Sequence, residues 1–113
     1  EQDLDMKKEL LDEAENYYNE SLMAAEDQKG STNILFALSG LLETIILSES
    51  FNKCKYVFEK IDENAKIIVQ VPDWAKWAKD RLNQSMEKLK AKTDGQFKKE
   101  IENYYNIINQ PES

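Results

Sequence analysis

NILFALSGLLETIILS, residues 33–48, is the most apolar stretch of the chain and carries one charge, Glu43. A bilayer-spanning helix needs about 20 consecutive apolar residues. The apolar part here runs only from Ile34 to Leu47 and is interrupted by Ser39, Gly40, Glu43 and Thr44, so no membrane span is expected. On a helical wheel it is amphipathic. Ile34, Leu35, Leu38, Leu41, Leu42 and Ile45 form one wide face, and Thr32, Asn33, Ser39, Gly40, Glu43 and Thr44 form the other. Phe36 and Leu47 break that division: they lie on the polar side and flank Gly40, where a missing side chain lets another helix come close. Either this is the central helix of a bundle, covered on both sides, or Phe36, Gly40 and Leu47 contact a partner or a second copy of the chain.

Upstream, Asp3 can cap a helix with apolar residues at Leu4, Leu10, Leu11, Ala14, Tyr17, Tyr18, Leu22 and Ala25, closed by Gly30. Ser31 or Thr32 then caps the apolar helix. It should stop near Ser48–Ser50, because a helix from Thr32 to Gln70 would be ~57 Å long at ~1.5 Å per residue. Downstream, Phe51, Cys54, Phe58, Ile61, Ala65 and Ile68 alternate steps of three and four, a core-facing stripe. That helix must end by Val71, since Pro72 disfavours a helical residue before it, and KIIVQV (66–71) alternates well enough to be a short strand instead. Asp73 caps a helix carrying Trp74, Ala78, Leu82, Ser85, Met86 and Leu89, and TDGQ (93–96) fits a reciprocal capping box opening a last helix with Phe97, Ile101, Tyr104 and Ile108 on one face.

The expected fold is therefore all-α: one domain over residues 1–113, an up-and-down bundle of four to five helices at about 3–29, 32–48, 50–70, 73–92 and 94–109, with 110–113 a frayed tail. One echo offers an alternative. EAENYYN (13–19) and EIENYYN (100–106) agree at six of seven positions, with an offset that sets Leu10 over Phe97, Ala14 over Ile101 and Tyr17 over Tyr104. They are either two similar amphipathic helices or the trace of a helical-hairpin repeat stack.

Composition supports a self-sufficient helical domain. The 113 residues are 41% hydrophobic and 33% charged, with three Gly and two Pro, which suits a packed helical core better than disorder or a β-rich fold. Fifteen basic against twenty-two acidic residues give a net charge of −7, which disfavours nucleic acid and anionic lipid as partners. The charge is uneven: residues 1–28 hold ten acids and two lysines, whereas 73–99 hold eight bases and four acids. The acidic segment can pack beside the basic one, or steer a charged protein partner. Cys54 stands alone, so no intrachain disulfide forms and the compartment is open: cytoplasmic and exported settings both fit. The chain begins at Glu1, as an expressed piece or a processed mature form would. The triplets Asn19-Glu20-Ser21 and Asn83-Gln84-Ser85 match glycosylation acceptors only weakly in a chain this rich in Asn.

Familiar chemistries have no carriers here. Without histidine there is no imidazole base or ligand, and Gly30, Gly40 and Gly95 are too scattered to cradle phosphate. Acid pairs such as Asp12/Glu13 and Glu100/Glu102 lie on charged helix faces, and Cys54 sits on a core stripe as a small hydrophobe. No catalytic residue, metal or cofactor is expected, and the chain reads as a non-enzyme. Recognition through surfaces remains. Trp74 and Trp77 cannot both point into a small bundle as easily as one can, at least one of them is expected to pack in the core, and Arg81 is placed for a cation–π contact with Trp77. The expected function is a protein-interaction module of adaptor, assembly or inhibitor type, able to self-associate, with Trp77, Arg81, Phe36, Gly40 and Leu47 as its contact residues. The alternative is a small-ligand sensing or carrier bundle in which Tyr17, Tyr18, Tyr104 and Tyr105 line one crevice.

Overall fold

The apolar run forms α2 (Ser31–Ser48), and the rest of the molecule is arranged around it. The computed structural model describes residues 2–109, with side chains from residue 5. It comprises α1 (Gln2–Gln28), α2, α3 (Cys54–Glu63), α4 (Ala65–Ile68), α5 (Lys76–Lys92) and α6 (Lys98–Ile108), with 3-10 turns at Phe51–Lys53 and Asp73–Ala75. The fold is all-α and bundled, and no strand occurs among the described residues. The expected cap at Asp3 and the tail 110–113 lie outside the described side chains and residues.

Cross-helix pairs fix the directions. Glu15 and Glu26 of α1 meet Lys53 and Lys60 in the same order, so α1 and α3 run alike. Glu43 of α2 lies between Arg81 and Lys88, and Phe36 lies under Arg81, so α2 and α5 run alike. Phe58 and Asp62 of α3 meet Phe97 and Tyr104, so α6 follows α3. Up-and-down order results.

Burial on both sides makes α2 the central helix. Eleven of its residues are buried, Ile34, Leu35, Leu38 and Leu42 completely. By length and composition α2 would pass for a membrane span, with a mean hydropathy of 1.4, yet 61% of it lies inside the bundle. Its interior hydroxyls are satisfied within the helix: Ser39 donates to the Leu35 carbonyl at 2.9 Å and Thr44 to that of Gly40 at 2.8 Å. Leu22 and Ala25 of α1 close one side, and Ala78, Leu82, Ser85, Met86 and Leu89 of α5 pack on the other.

Several boundaries differ from the expectation for local reasons. α1 does not end on Gly30 in a left-handed conformation; Lys29 takes it, with φ 54°, and Gly30 N–H reaches back to the Ala25 carbonyl at 3.0 Å. Glu49 and Asp94 end α2 and α5 in the same way, with φ 57° and 52°. Thr93–Gln96 thus terminates α5 rather than capping α6: the Thr93 hydroxyl donates backwards to the Leu89 carbonyl at 2.7 Å, and Gly95 N–H to that of Lys90. The expected helix 50–70 is divided at Asn64, whose buried carboxamide donates to Glu26 at 2.8 Å and to the Lys60 carbonyl at 2.9 Å. Residues 65–68 are helical, not extended.

The ENYYN echo is not repeated in the packing. Tyr18 is half-buried and Tyr17 exposed on α1, whereas on α6 Tyr104 is half-buried and Tyr105 exposed, so equivalent residues face opposite ways.

Candidate interaction site

The 3-10 turn at Asp73–Ala75 sets the phase of everything after it. Ala75 turns inward and is fully buried, in line with Ala78 and Leu82. Trp74, expected on the core stripe, is thereby rotated out and is 76% exposed, while Trp77 is 50% exposed. Two tryptophans three residues apart therefore face solvent at the start of α5, and the core is filled without them. A large exposed aromatic pair on a small fold is a recognised mark of a contact surface.

Arg81 lies one turn beyond Trp77, but its guanidinium is not paired with that ring. It sits 5.3 Å above the centre of Phe36 and 3.9 Å from Glu43, drawn toward α2 by a fixed carboxylate that also holds Lys88 at 2.9 Å. Phe36 is half-buried between Arg81 and Tyr18, with ring centres of Phe36 and Tyr18 6.0 Å apart. Gly40 is buried, and a side chain there would run into the Tyr18 ring. The back of α2 is thus covered by α1 of the same chain, whereas Leu47, 62% exposed, stands apart at the helix end. Phe36, Gly40 and Leu47 do not form one surface; Trp77 and Arg81 remain exposed on α5 beside Trp74.

The two tyrosine pairs are not brought together. Tyr18 packs on Gly40 and Phe36, while Tyr104 stacks on Phe58, 4.8 Å between centres and nearly parallel, and donates its hydroxyl to Asp62 at 2.9 Å. Burial, and then the carboxylates of Asp62, Glu100 and Glu59, raise the Tyr104 phenol above its ordinary value. The acidic α1 finds its cations on the α3 segment rather than on 73–99. Lys53 reaches Glu15 at 2.6 Å, and Lys60 shares Glu26 with Asn64. Burial on its own would lower the Lys60 ammonium, but the hydrogen bond and charge of Glu26, with Glu63 and Tyr56 adding, leave it raised. Cys54 is fully buried, and desolvation pushes its thiol up to about 11, as an inert core residue. Among the described residues no three metal-capable side chains converge, and both Asn-X-Ser triplets lie inside helices.

A groove of about 470 Å³ lies between α1, α2 and α3. Leu41, Ile45 and Val57 form its floor, Met23 and Tyr56 its exposed walls, and the Glu15–Lys53 ion pair one end. Asn19 also lines it, and Asn19 Oδ1 is shut from solvent with no hydrogen-bond partner. An orphaned acceptor of this kind costs about 1–3 kcal/mol. Sequence reading missed this feature, because its walls come from three helices. Met23 and Tyr56, apolar residues off their helices' core stripes, were the available signal. Neither family models, nor curated proteins, nor solved structures match this chain.

Proposed function

We propose that the chain is a non-enzymatic protein-interaction module that docks through Trp74 and Trp77, with Arg81 at the rim of the contact. The observation that carries this reading is the exposure of both tryptophans, 76% and 50%, on a fold whose core does not need them. Tryptophan and arginine dominate binding energy where they are desolvated by a partner. The charge is divided, acidic over residues 1–28 and basic over 73–99 where the tryptophans lie, so the association has a salt-dependent on-rate.

The Trp74→Ala/Trp77→Ala double variant tests it. Size-exclusion chromatography with light scattering reads self-association. A partner recovered on the immobilised chain is purified and its affinity measured again by calorimetry. The double variant should keep wild-type thermal stability to within a few degrees and lose at least about 30-fold in affinity. Equal affinity of the two proteins for the same partner, or a loss of about 3–5 kcal/mol of stability as for buried tryptophan, refutes the reading.

A further inference from the structure

We infer that the groove between α1, α2 and α3 binds a small neutral amphipathic molecule, with an apolar body of roughly two or three rings and one N–H or O–H donor that Asn19 accepts. This site is separate from the tryptophan surface. A dry cavity of about 150 Å³ accommodates benzene, so about 470 Å³ admits a body of that larger size. The floor is preformed, since Leu41 and Ile45 are at most 3% exposed and Val57 is fully buried. Met23, 68% exposed, and Tyr56, 42% exposed, present apolar surface that a ligand would cover.

The polar groups define the rest of the ligand. Glu15 and Lys53 satisfy each other at 2.6 Å, so the groove offers no unpaired charge and selects a neutral molecule. Among the described residues Asn19 Oδ1 is the one side-chain polar atom shut from solvent without a hydrogen-bond partner, and its residue lies in this wall. In the middle of α1 a leucine or methionine would favour the helix more and leave nothing unpaired. Local conflict of this kind marks sites where binding, not folding, sets the residue. Met23 on the adjoining wall is long, unbranched and exposed, and can swing aside to admit a donor to Asn19 while the Glu15–Lys53 pair stays closed.

The probe is N-phenyl-1-naphthylamine, neutral, with a single N–H and a fluorescence that rises in apolar sites, compared with its N-methyl analogue, which has no donor. The wild-type chain should bind the parent about 5-fold to 10-fold more tightly than the analogue, the worth of one neutral hydrogen bond. Asn19→Leu, or Asn19→Met as a second variant, should bring the two within about twofold. Met23→Arg, at an exposed position, should abolish binding of both, whereas Trp74→Ala/Trp77→Ala should leave both unchanged. The inference is overturned if the wild type shows no saturable binding or no preference for the parent, if Met23→Arg binds normally, if the tryptophan variant loses binding, or if the preference survives in a folded Asn19 variant.

Discussion

Gly40→Ala in α2 is the sharpest probe of how this bundle is held together, because two effects of similar size oppose each other there. Alanine in a helix interior is better than glycine by about 1 kcal/mol. Against that, the new Cβ would overlap Cδ1, Cε1 and Cζ of the Tyr18 ring, a rigid group that cannot yield by bending at its tip. Overpacking of this kind costs about 1–3 kcal/mol. A displaced ring also gives up its edge contact with Tyr17 at 5.2 Å and its tilted contact with Phe36 at 6.0 Å, worth about 0.5–1.5 kcal/mol each. The balance is a destabilisation of about 1–5 kcal/mol, or a drop in Tm of about 4 °C per kcal/mol for a domain of this size. In a Tyr18→Ala background the ring is gone, and Gly40→Ala should then stabilise by about 1 kcal/mol. Urea unfolding followed by circular dichroism on the four proteins of the cycle gives both numbers. A neutral or stabilising Gly40→Ala in the wild-type chain, or an effect of the same sign and size in both backgrounds, refutes the close packing of Tyr18 on Gly40 as its cause.

Three further outcomes follow from the geometry. Glu49→Gly should stabilise by about 1 kcal/mol in chemical denaturation, since a non-glycine residue at φ 57° stores strain that glycine does not. Tyr104→Phe should cost only about 1 kcal/mol, because the Asp62 hydrogen bond is lost while the stack on Phe58 remains; Tyr104→Ala should cost about 3 kcal/mol or more. Stability should fall in alkali. Cys54, Lys60 and Tyr104 all have folded values above their unfolded ones, so each holds its proton more tightly when folded; that contribution is complete below the unfolded values and is lost as pH rises through the folded ones. For Cys54 the window runs from 9.0 to about 11, and thermal midpoints measured across it should decline less in Cys54→Ala than in wild type.

The regular parts of the fold were legible in the sequence because periodicity survives assembly. Ala78, Leu82, Met86 and Leu89 are buried as their spacing requires, as are Cys54, Phe58, Ile61 and Ile101. What escaped was set by single residues or by distant ones. Trp74 has the spacing of a core residue, yet a three-residue 3-10 turn puts Ala75 in its place. Thr93 has the chemistry of an N-cap, but its hydroxyl is spent on the helix before it. Leu10 and Tyr17 belong to a stripe that is wide on paper, whereas the contact with α2 is narrow and leaves them 63% and 59% exposed. Asn64 divides a helix with its carboxamide donated both to Glu26, from a different helix, and to the Lys60 carbonyl of its own. The surface tryptophans were half-anticipated from the difficulty of burying both. The groove was not, because Met23, Leu41 and Val57 become neighbours only after three helices are in place.

The burial of α2 on two sides has a consequence during synthesis. Its first cover, α1, precedes it in the chain, but its second, ending at Leu89, is made ~40 residues after Ser48 has been joined, which at ~5–20 residues per second is a delay of several seconds. Throughout that interval the most apolar helix of the chain lacks the cover of α5 on one flank. The nascent chain before α5 is complete is therefore the species in which the pairing of α1 with α2 matters most, and mutations that loosen Tyr18 from Gly40 should lower yield in the cell as well as the stability of the finished protein.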